Sequence, residues 1–137
     1  MVTSVQTILD EIKDTFSLFD DPLDRFIQLI DMGKSCQGLS DDLKIDANII
    51  KSCTSKAWMV ISSTDGSVCS IKTDSESHIV KGLLSILEKV VKNSSIDDIM
   101  ELDGIQILDS IGLGKRITSQ RTNGFIGAVE MLKRRVS

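Results

Sequence analysis

A cysteine near the middle of the chain lies among polar and basic residues, although free cysteine usually behaves as a small hydrophobe and is buried. It is Cys53, within the run NIIKSCTSKAW at residues 48–58. Its neighbours are Lys51, Ser52, Thr54, Ser55 and Lys56. This composition is not that of a protein core, so either the cysteine is incidental or its sulfur takes part in chemistry.

The chemistry open to Cys53 depends on the groups that could activate its thiol. Thiolate is the nucleophilic form, and nearby cations such as Lys51 and Lys56 lower a thiol pKa. Hydrolysis also needs a base that takes up the proton and returns it to the leaving group, and His78 is the only histidine. Sulfur transfer requires only some thiolate, access and a good leaving thiolate. The residues therefore favour sulfur transfer over hydrolysis, with an inert cysteine as the remaining alternative.

The other two cysteines give weaker indications of function. Cys69 shares one face of a predicted strand with Ile71, so we expect it in the core. Cys36 follows a predicted helix end, and nothing near it in the sequence suggests activation. There is no Cys-x-x-Cys pair, and a structural zinc site needs closely spaced ligand pairs. We therefore predict neither a bound metal nor a disulfide framework, with a site held by the three cysteines together as the alternative.

Length and charge narrow the class of protein. The 137 residues suit one domain with its own core. The net charge is -4, and no basic stripe with interleaved aromatic residues suggests nucleic-acid binding. The basic LKRRV near the C-terminus is interpreted as the solvated end of a helix, where cations suit the helix dipole. No stretch is long and apolar enough to span a membrane, and the start lacks signal-peptide features. We expect a cytoplasmic protein that binds neither nucleic acid nor membrane.

Hydrophobic periodicity predicts the elements that must position Cys53. Apolar residues at intervals of three and four predict helices at 4–19, 22–32, about 75–92, 95–101, 105–114 and 119–135. Strands are predicted at 57–62 and 68–73, joined by an Asp-Gly turn. Asp74 and Ser75 are predicted to cap the long third helix and Thr118 the last one. Gly33 is expected to end the second helix, and Gly112 or Gly114 the fifth. The pattern predicts an α+β fold, with helices packed on one face of a small antiparallel sheet.

Three blocks of the sequence match the pattern of one protein family and occur in the family's order. IIKSCTSKAW is similar to the block around the family's active cysteine, with Asn48 and Cys53 retained and Ser52 in place of the usual glycine. TDSESHIVKGLL at 73–84 and ITSQRTNGF at 117–125 are similar to two further blocks, and DPLDRFIQLIDMGK is a weaker match to the N-terminal helix. The sequence therefore resembles the SufE family of sulfur-acceptor proteins, which partner cysteine desulfurases in iron–sulfur cluster assembly.

The resemblance implies the fold that SufE proteins share with IscU-type cluster scaffolds, in a single SufE-like domain over residues 1–137. It implies that Cys53 accepts sulfur from the persulfide of a SufS-like, pyridoxal-phosphate-dependent desulfurase and stimulates that enzyme. The sulfur would pass to a SufBCD-like scaffold complex, and the chain itself would hold no cofactor or metal. The implied residues for shaping the loop or binding the partner are Lys51, Ser52, Ser55, Lys56, Asp74 and Arg121. Whether such a carrier counts as an enzyme is left open.

Two alternatives stay open beside the carrier. A scaffold for iron–sulfur clusters or another metal, with the IscU-like fold, predicts bound iron or zinc and a dependence on Cys36 and Cys69. A noncatalytic adaptor would bind a desulfurase and change only its rate, so Cys53→Ser would keep the stimulation.

Overall fold

The computed structural model describes residues 5–51, 55–64, 67–92, 94–112 and 119–136, and leaves out the side chains of residues 64, 67–69 and 119. Some of the expectations from sequence concern residues outside this description. They are the placement of Ser52 and Cys53, the Asp-Gly turn, the burial of Cys69 and the Thr118 cap.

The described elements follow the order of helices, strands and helices that the sequence predicts. The helices are α1 Val5–Ser17, α2 Pro22–Ser35, α3 His78–Val91, α4 Ile96–Met100, α5 Gly104–Ile111 and α6 Ser119–Val136. The strands are β1 Ala57–Thr64, β2 Ser67–Ser75 and β3 Ser94–Ser95. Between α2 and β1 the chain forms short 3-10 turns at Asp41–Leu43 and Asp46–Asn48. None of the described helices is both long and apolar enough to cross a membrane.

The strands of the described chain form an antiparallel sheet in the order β1-β2-β3. β1 and β2 pair with Ile61 opposite Ile71, and the register shifts between Ser62 and Ser63. β3 contributes a short pairing opposite the start of β2. Helix α3 packs on β2, and α2 packs on α3. The predicted α+β class, with helices packed on one face of a small antiparallel sheet, is confirmed.

Helix α3 lies at the centre of the hydrophobic core, as its two adjacent rows of apolar residues predict. Its buried residues are Ile79, Val80, Gly82, Leu83, Leu84, Ser85, Ile86, Leu87, Val90 and Val91. Phe16 of α1, Met59 of β1 and Leu132 of α6 are buried in the same cluster. The sheet and the helices that precede and follow it in the sequence therefore share one core.

Two glycines let α2 and α3 approach each other closely. A Cβ added at Gly82 would run into the carbonyl oxygen of Leu29, and one at Gly33 would lie 2.6 Å from the carbonyl oxygen of His78. Glycine inside a helix costs about 1 kcal/mol relative to alanine, and this close contact explains why Gly82 is kept there. Helix α2 runs on to Ser35 rather than ending at Gly33, and Gly33 instead packs closely against the start of α3.

The predicted caps of the third helix are wrong. Asp74 and Ser75 belong to β2, which is longer than expected. Helix α3 begins at His78, and its cap is Ser77, whose hydroxyl accepts a hydrogen bond from the N–H of Val80. Asp74 is free of that role because its carboxylate binds groups from distant parts of the chain. Its position at the end of β2 places it next to the loop that contains Cys53.

Candidate functional site

The described residues on the two sides of Cys53 lie next to each other in the structure. The N–H of Ile50 donates to the carbonyl oxygen of Ala57 at 2.8 Å, and Ile49 forms an antiparallel bridge with Trp58. The chain therefore enters and leaves the segment 51–56 side by side. Cys53 itself lies outside the described residues, which define the base of the loop.

The returning end of this loop is held by the end of β2. The carbonyl oxygen of Lys56 accepts hydrogen bonds from the Ser75 hydroxyl at 2.9 Å and from the N–H of Glu76 at 3.0 Å. The Ser75 hydroxyl also accepts from the N–H of Ser77, the cap of α3. Ala57 is fully buried directly after the loop. The base of the cysteine loop is therefore tied to the strand–helix junction at the centre of the fold.

Asp74 anchors this junction through a buried carboxylate. One oxygen accepts from the N–H of Leu39 at 3.0 Å and lies 3.3 Å from the Lys44 ammonium. The other accepts from the N–H of Ser75 at 2.8 Å and lies 3.5 Å from the Lys81 ammonium. Burial by itself raises the pKa of Asp74, but the backbone donors and the two lysines outweigh it. The pKa of Asp74 therefore lies below its usual value.

The Asp74 cluster connects three segments that the chain brings together from far apart. Gly38 adopts φ +74°, and a Cβ there would lie 2.6 Å from the carboxylate, so a side chain at this position would displace Asp74. The Lys44 ammonium also lies over the indole of Trp58, 5.4 Å from the ring centre, a cation–π contact. The cluster thus holds the segment from Gly38 to Lys44 against the strand that begins after the cysteine loop.

The remaining predicted site residues differ in their surroundings. Lys51 and Lys56 are exposed and Ser55 is half-buried, all at the ends of the cysteine loop. Arg121 is half-buried in the first turn of α6. The structure therefore joins Lys56 and Asp74 through Ser75, whereas Arg121 lies on a separate element.

The second described cysteine, Cys36, has a different environment. Its thiol donates to a carboxylate oxygen of Glu88 at 3.2 Å, and the Thr73 hydroxyl donates to the same oxygen at 2.6 Å. Burial raises the pKa of the Cys36 thiol, Glu88 raises it further, and the N–H of Gly38 only partly opposes them. Because thiolate is the reactive form, the raised pKa disfavours Cys36 as a nucleophile at neutral pH. The cysteine borders an open groove of about 480 Å³ between α2 and α3.

The structure adds one group that the sequence analysis did not connect with the site. The basic end of α6, interpreted from sequence as a solvated face, borders a groove with the segment that leads into the cysteine loop. No signal in the local sequence places LKRRV beside residue 51, because the contact joins segments far apart in the chain. Among the described residues, no group of three or more His, Cys, Asp or Glu is arranged to hold a metal.

These features define an α+β protein in which the segment that carries Cys53 has a hydrogen-bonded base, and comparison with known proteins identifies its family. The model of the family described as "SufE: Fe-S metabolism associated domain" matches residues 10–136. The chain therefore belongs to the SufE family, as its three sequence blocks predict.

Individual relatives agree with this assignment. An uncharacterized SufE-like protein of Rhizobium etli is 31% identical over 128 residues, which cover 91% of this chain and 86% of the relative. The sulfur acceptor protein CsdE of Escherichia coli is 27% identical over 115 residues, covering 84% of this chain and 78% of the relative. A solution structure of a hypothetical protein from Thermus thermophilus matches with a TM-score of 0.74 at 16% identity, covering 99% and 96% of the two chains. This last likeness is one of fold.

Proposed function

We propose that this chain is a sulfur carrier, in which Cys53 accepts sulfur from a cysteine desulfurase and delivers it to iron–sulfur cluster assembly. The observation that carries the proposal is that the segment from Lys51 to Lys56, whose sequence resembles the block around the family's active cysteine, is held at both ends. The similarity to a protein named as a sulfur acceptor supports it. The donor would be a SufS-like enzyme with its own pyridoxal phosphate, and the recipient a SufBCD-like complex. Such transfer belongs in the cytoplasm, where thiols stay reduced.

The proposed transfer is a thiol–disulfide type of exchange between two cysteines. The Cys53 thiolate attacks the terminal sulfur of a persulfide on the donor's cysteine. A sulfur–sulfur bond forms to Cys53 as the donor's sulfur–sulfur bond breaks, and the donor cysteine leaves as a thiolate. The product is a persulfide on Cys53, with no net oxidation or reduction. Removal of the donor's sulfur frees its cysteine for the next cycle, which explains how an acceptor stimulates a desulfurase.

The described part of the site supports this reaction in two ways. Lys51 and Lys56 are exposed cations on either side of the cysteine, and the sequence contains no Asp or Glu from Ala47 to Thr64. Positive charge near a thiol favours its thiolate. The hydrogen-bonded base keeps both ends of the loop in place, so less conformational entropy is lost when a partner engages it.

The environment of Cys36 argues against that residue as the acceptor. Its thiol donates to the Glu88 carboxylate, and its pKa is raised by burial and by that charge. A smaller fraction is therefore thiolate at neutral pH than for an ordinary cysteine. The two cysteines are suited to different roles, and Cys53 is the one we assign to sulfur transfer.

The test is to incubate the protein with a cysteine desulfurase, pyridoxal phosphate and cysteine, then alkylate it and map the peptides by mass spectrometry. We expect one added sulfur on the Cys53 peptide, absent in Cys53→Ser and retained in the matched control Cys36→Ser. Stimulation that persists in Cys53→Ser would replace the carrier by a noncatalytic adaptor. Iron or zinc that copurifies and depends on Cys36 and Cys69 would favour the scaffold alternative instead.

A further inference from the structure

A groove with a basic rim lies beside the cysteine loop. It has a volume of about 340 Å³, and we call it the basic groove. Its lining residues are Ile49, Lys51, Gly127, Glu130, Met131, Arg134 and Arg135. One wall is the segment that leads into the cysteine loop and the other is the C-terminal half of α6.

The two walls of the basic groove are fixed relative to each other. The guanidinium of Arg135 donates to the carbonyl oxygen of Ala47, which joins the end of α6 to the segment before the loop. The neighbouring Ile50 is buried, and its N–H is bonded to Ala57 of β1. Met131 on the other wall is 6% exposed and belongs to the core cluster. The groove is therefore a preformed surface that needs little rearrangement to receive a partner.

The charge of the groove is opposite to that of the protein. Lys51, Arg134 and Arg135 contribute positive charge, and Glu130 is acidic among the described lining residues. The Glu130 carboxylate lies 3.7 Å from the Lys133 ammonium, so much of its charge is balanced from outside the groove. Since the whole chain has a net charge of -4, the positive rim is a local feature.

The lining favours a peptide over other anions. Ile49, Gly127 and Met131 add apolar groups to the lining beside the basic residues, which suits a segment that carries both carboxylates and an aliphatic side chain. None of the described residues that line the groove is aromatic, although single-stranded nucleic acids usually stack their bases on aromatic residues.

The position of the groove connects it with sulfur transfer. Lys51 belongs to the groove lining and precedes Cys53 by two residues, a chain length that spans at most about 7 Å. A partner segment bound in the groove would therefore lie next to the loop that carries the acceptor cysteine. We propose that the basic groove docks an acidic peptide segment of the protein that donates sulfur to Cys53. The identity of this partner as the donor rests on the proposed function.

The first experiment tests the groove on the isolated protein. The probe is a short fluorescein-labelled peptide rich in glutamate with one leucine, and binding is followed by fluorescence anisotropy at low and high salt. We expect salt-sensitive binding that weakens about tenfold in Arg134→Glu Arg135→Glu, because two favourable charge contacts become repulsive. Lys13→Glu Lys92→Glu makes the same change in net charge away from the groove and should bind like the wild type.

Two further variants separate charge from structure. Arg134→Glu alone leaves the contact between Arg135 and Ala47 in place and should weaken binding by several-fold. Arg135→Lys keeps the charge and should stay within about twofold of the wild type. Equal binding of the glutamate peptide by all variants, or tighter binding of its glutamine counterpart, would overturn the proposal.

The second experiment measures how fast Cys53 gains sulfur as the concentration of this protein varies, with a desulfurase that modifies it. We expect Arg134→Glu Arg135→Glu to raise the apparent KM about tenfold with an unchanged maximal rate, and the glutamate peptide to compete. An unchanged KM would overturn the docking proposal and leave the carrier function standing. If no desulfurase modifies Cys53, the carrier function fails and donor docking falls with it; the peptide titration then shows separately whether the groove binds acidic peptides.

Discussion

Cys36 and Cys53 differ in the charged residues near them, as the structure shows for Cys36 and the sequence shows for Cys53. Cys36 donates to the Glu88 carboxylate and has a raised pKa. Cys53 lies between Lys51 and Lys56, in a stretch of sequence without acidic residues. A carboxylate neighbour stabilises the thiol and cationic neighbours stabilise the thiolate. The comparison therefore supports a structural hydrogen bond for Cys36 and the proposed nucleophilic role for Cys53.

The most severe test of this comparison is to remove each sulfur in turn. Cys53→Ser should abolish sulfur uptake, because a hydroxyl cannot replace the thiolate nucleophile. Cys36→Ser should keep at least about half of the wild-type rate, since its thiol takes no part in the transfer. Peptide mapping after reaction with a desulfurase reads both results, and a persulfide found on Cys36 would reverse the assignment.

The next largest effect should come from the carboxylate that supports the base of the cysteine loop. Asp74→Asn removes the charge that balances Lys44 and Lys81 in a buried site. We expect a loss of about 2–3 kcal/mol in the free energy of unfolding, measured by urea denaturation. The matched control is Asp41→Asn, which removes a fully exposed carboxylate 3.9 Å from the same Lys44 and should leave stability unchanged. Equal losses in the two variants would show that the burial of Asp74 does not determine its contribution to the free energy of unfolding.

The pH dependence of stability should reflect the ionisation of the same carboxylate, that of Asp74. Because the folded pKa of Asp74 is depressed, its contribution is complete above the unfolded-state pKa, about 3.9. It is lost as the pH falls through the lower folded pKa. The stability difference between the wild type and Asp74→Asn should therefore be constant near neutrality and shrink below about pH 4. Urea denaturation over a pH series measures this stability difference. A difference that grows in acid would contradict the lowered pKa of Asp74.

The smallest expected effect concerns the carboxylate beside Cys36. Glu88→Gln removes a negative charge that raises the Cys36 pKa, while burial still raises it. Alkylation of Cys36 near neutral pH should therefore accelerate only about threefold, as read by peptide mapping. Glu101→Gln makes the same change at an exposed site and serves as the control. Slower alkylation in Glu88→Gln would mean that the carboxylate activates this thiol.

Local sequence patterns predicted most of the fold because they depend on residues close together in the chain. The apolar spacing of the third helix and the β-rich run beginning at Ala57 each identified an element. The run Asp20-Asp21-Pro22 also indicates a helix start, and the Asp21 carboxylate accepts from the N–H of Leu23 at the start of α2. Gly112 ends α5 in a left-handed conformation, as glycine permits.

The cap of the third helix shows where local reasoning failed. Aspartate and serine both cap helices well, so the run from Asp74 to Ser77 contains several candidates. The choice of Ser77 depends on Leu39, Lys44 and Lys81, which bind the Asp74 carboxylate and keep it at the end of β2. Leu39 and Lys44 are distant in sequence, and no local pattern indicates them.

The sequence by itself determined the α+β class, the SufE family and Cys53 as the candidate acceptor, because periodicity and motifs are local properties of a chain. The tertiary structure alone decided that Asp74 anchors the loop base, that Cys36 faces Glu88, and that the end of α6 borders the cysteine loop. Each of these depends on a contact between segments that are far apart in sequence. Such contacts follow from how the whole core packs, which the preferences of neighbouring residues do not specify.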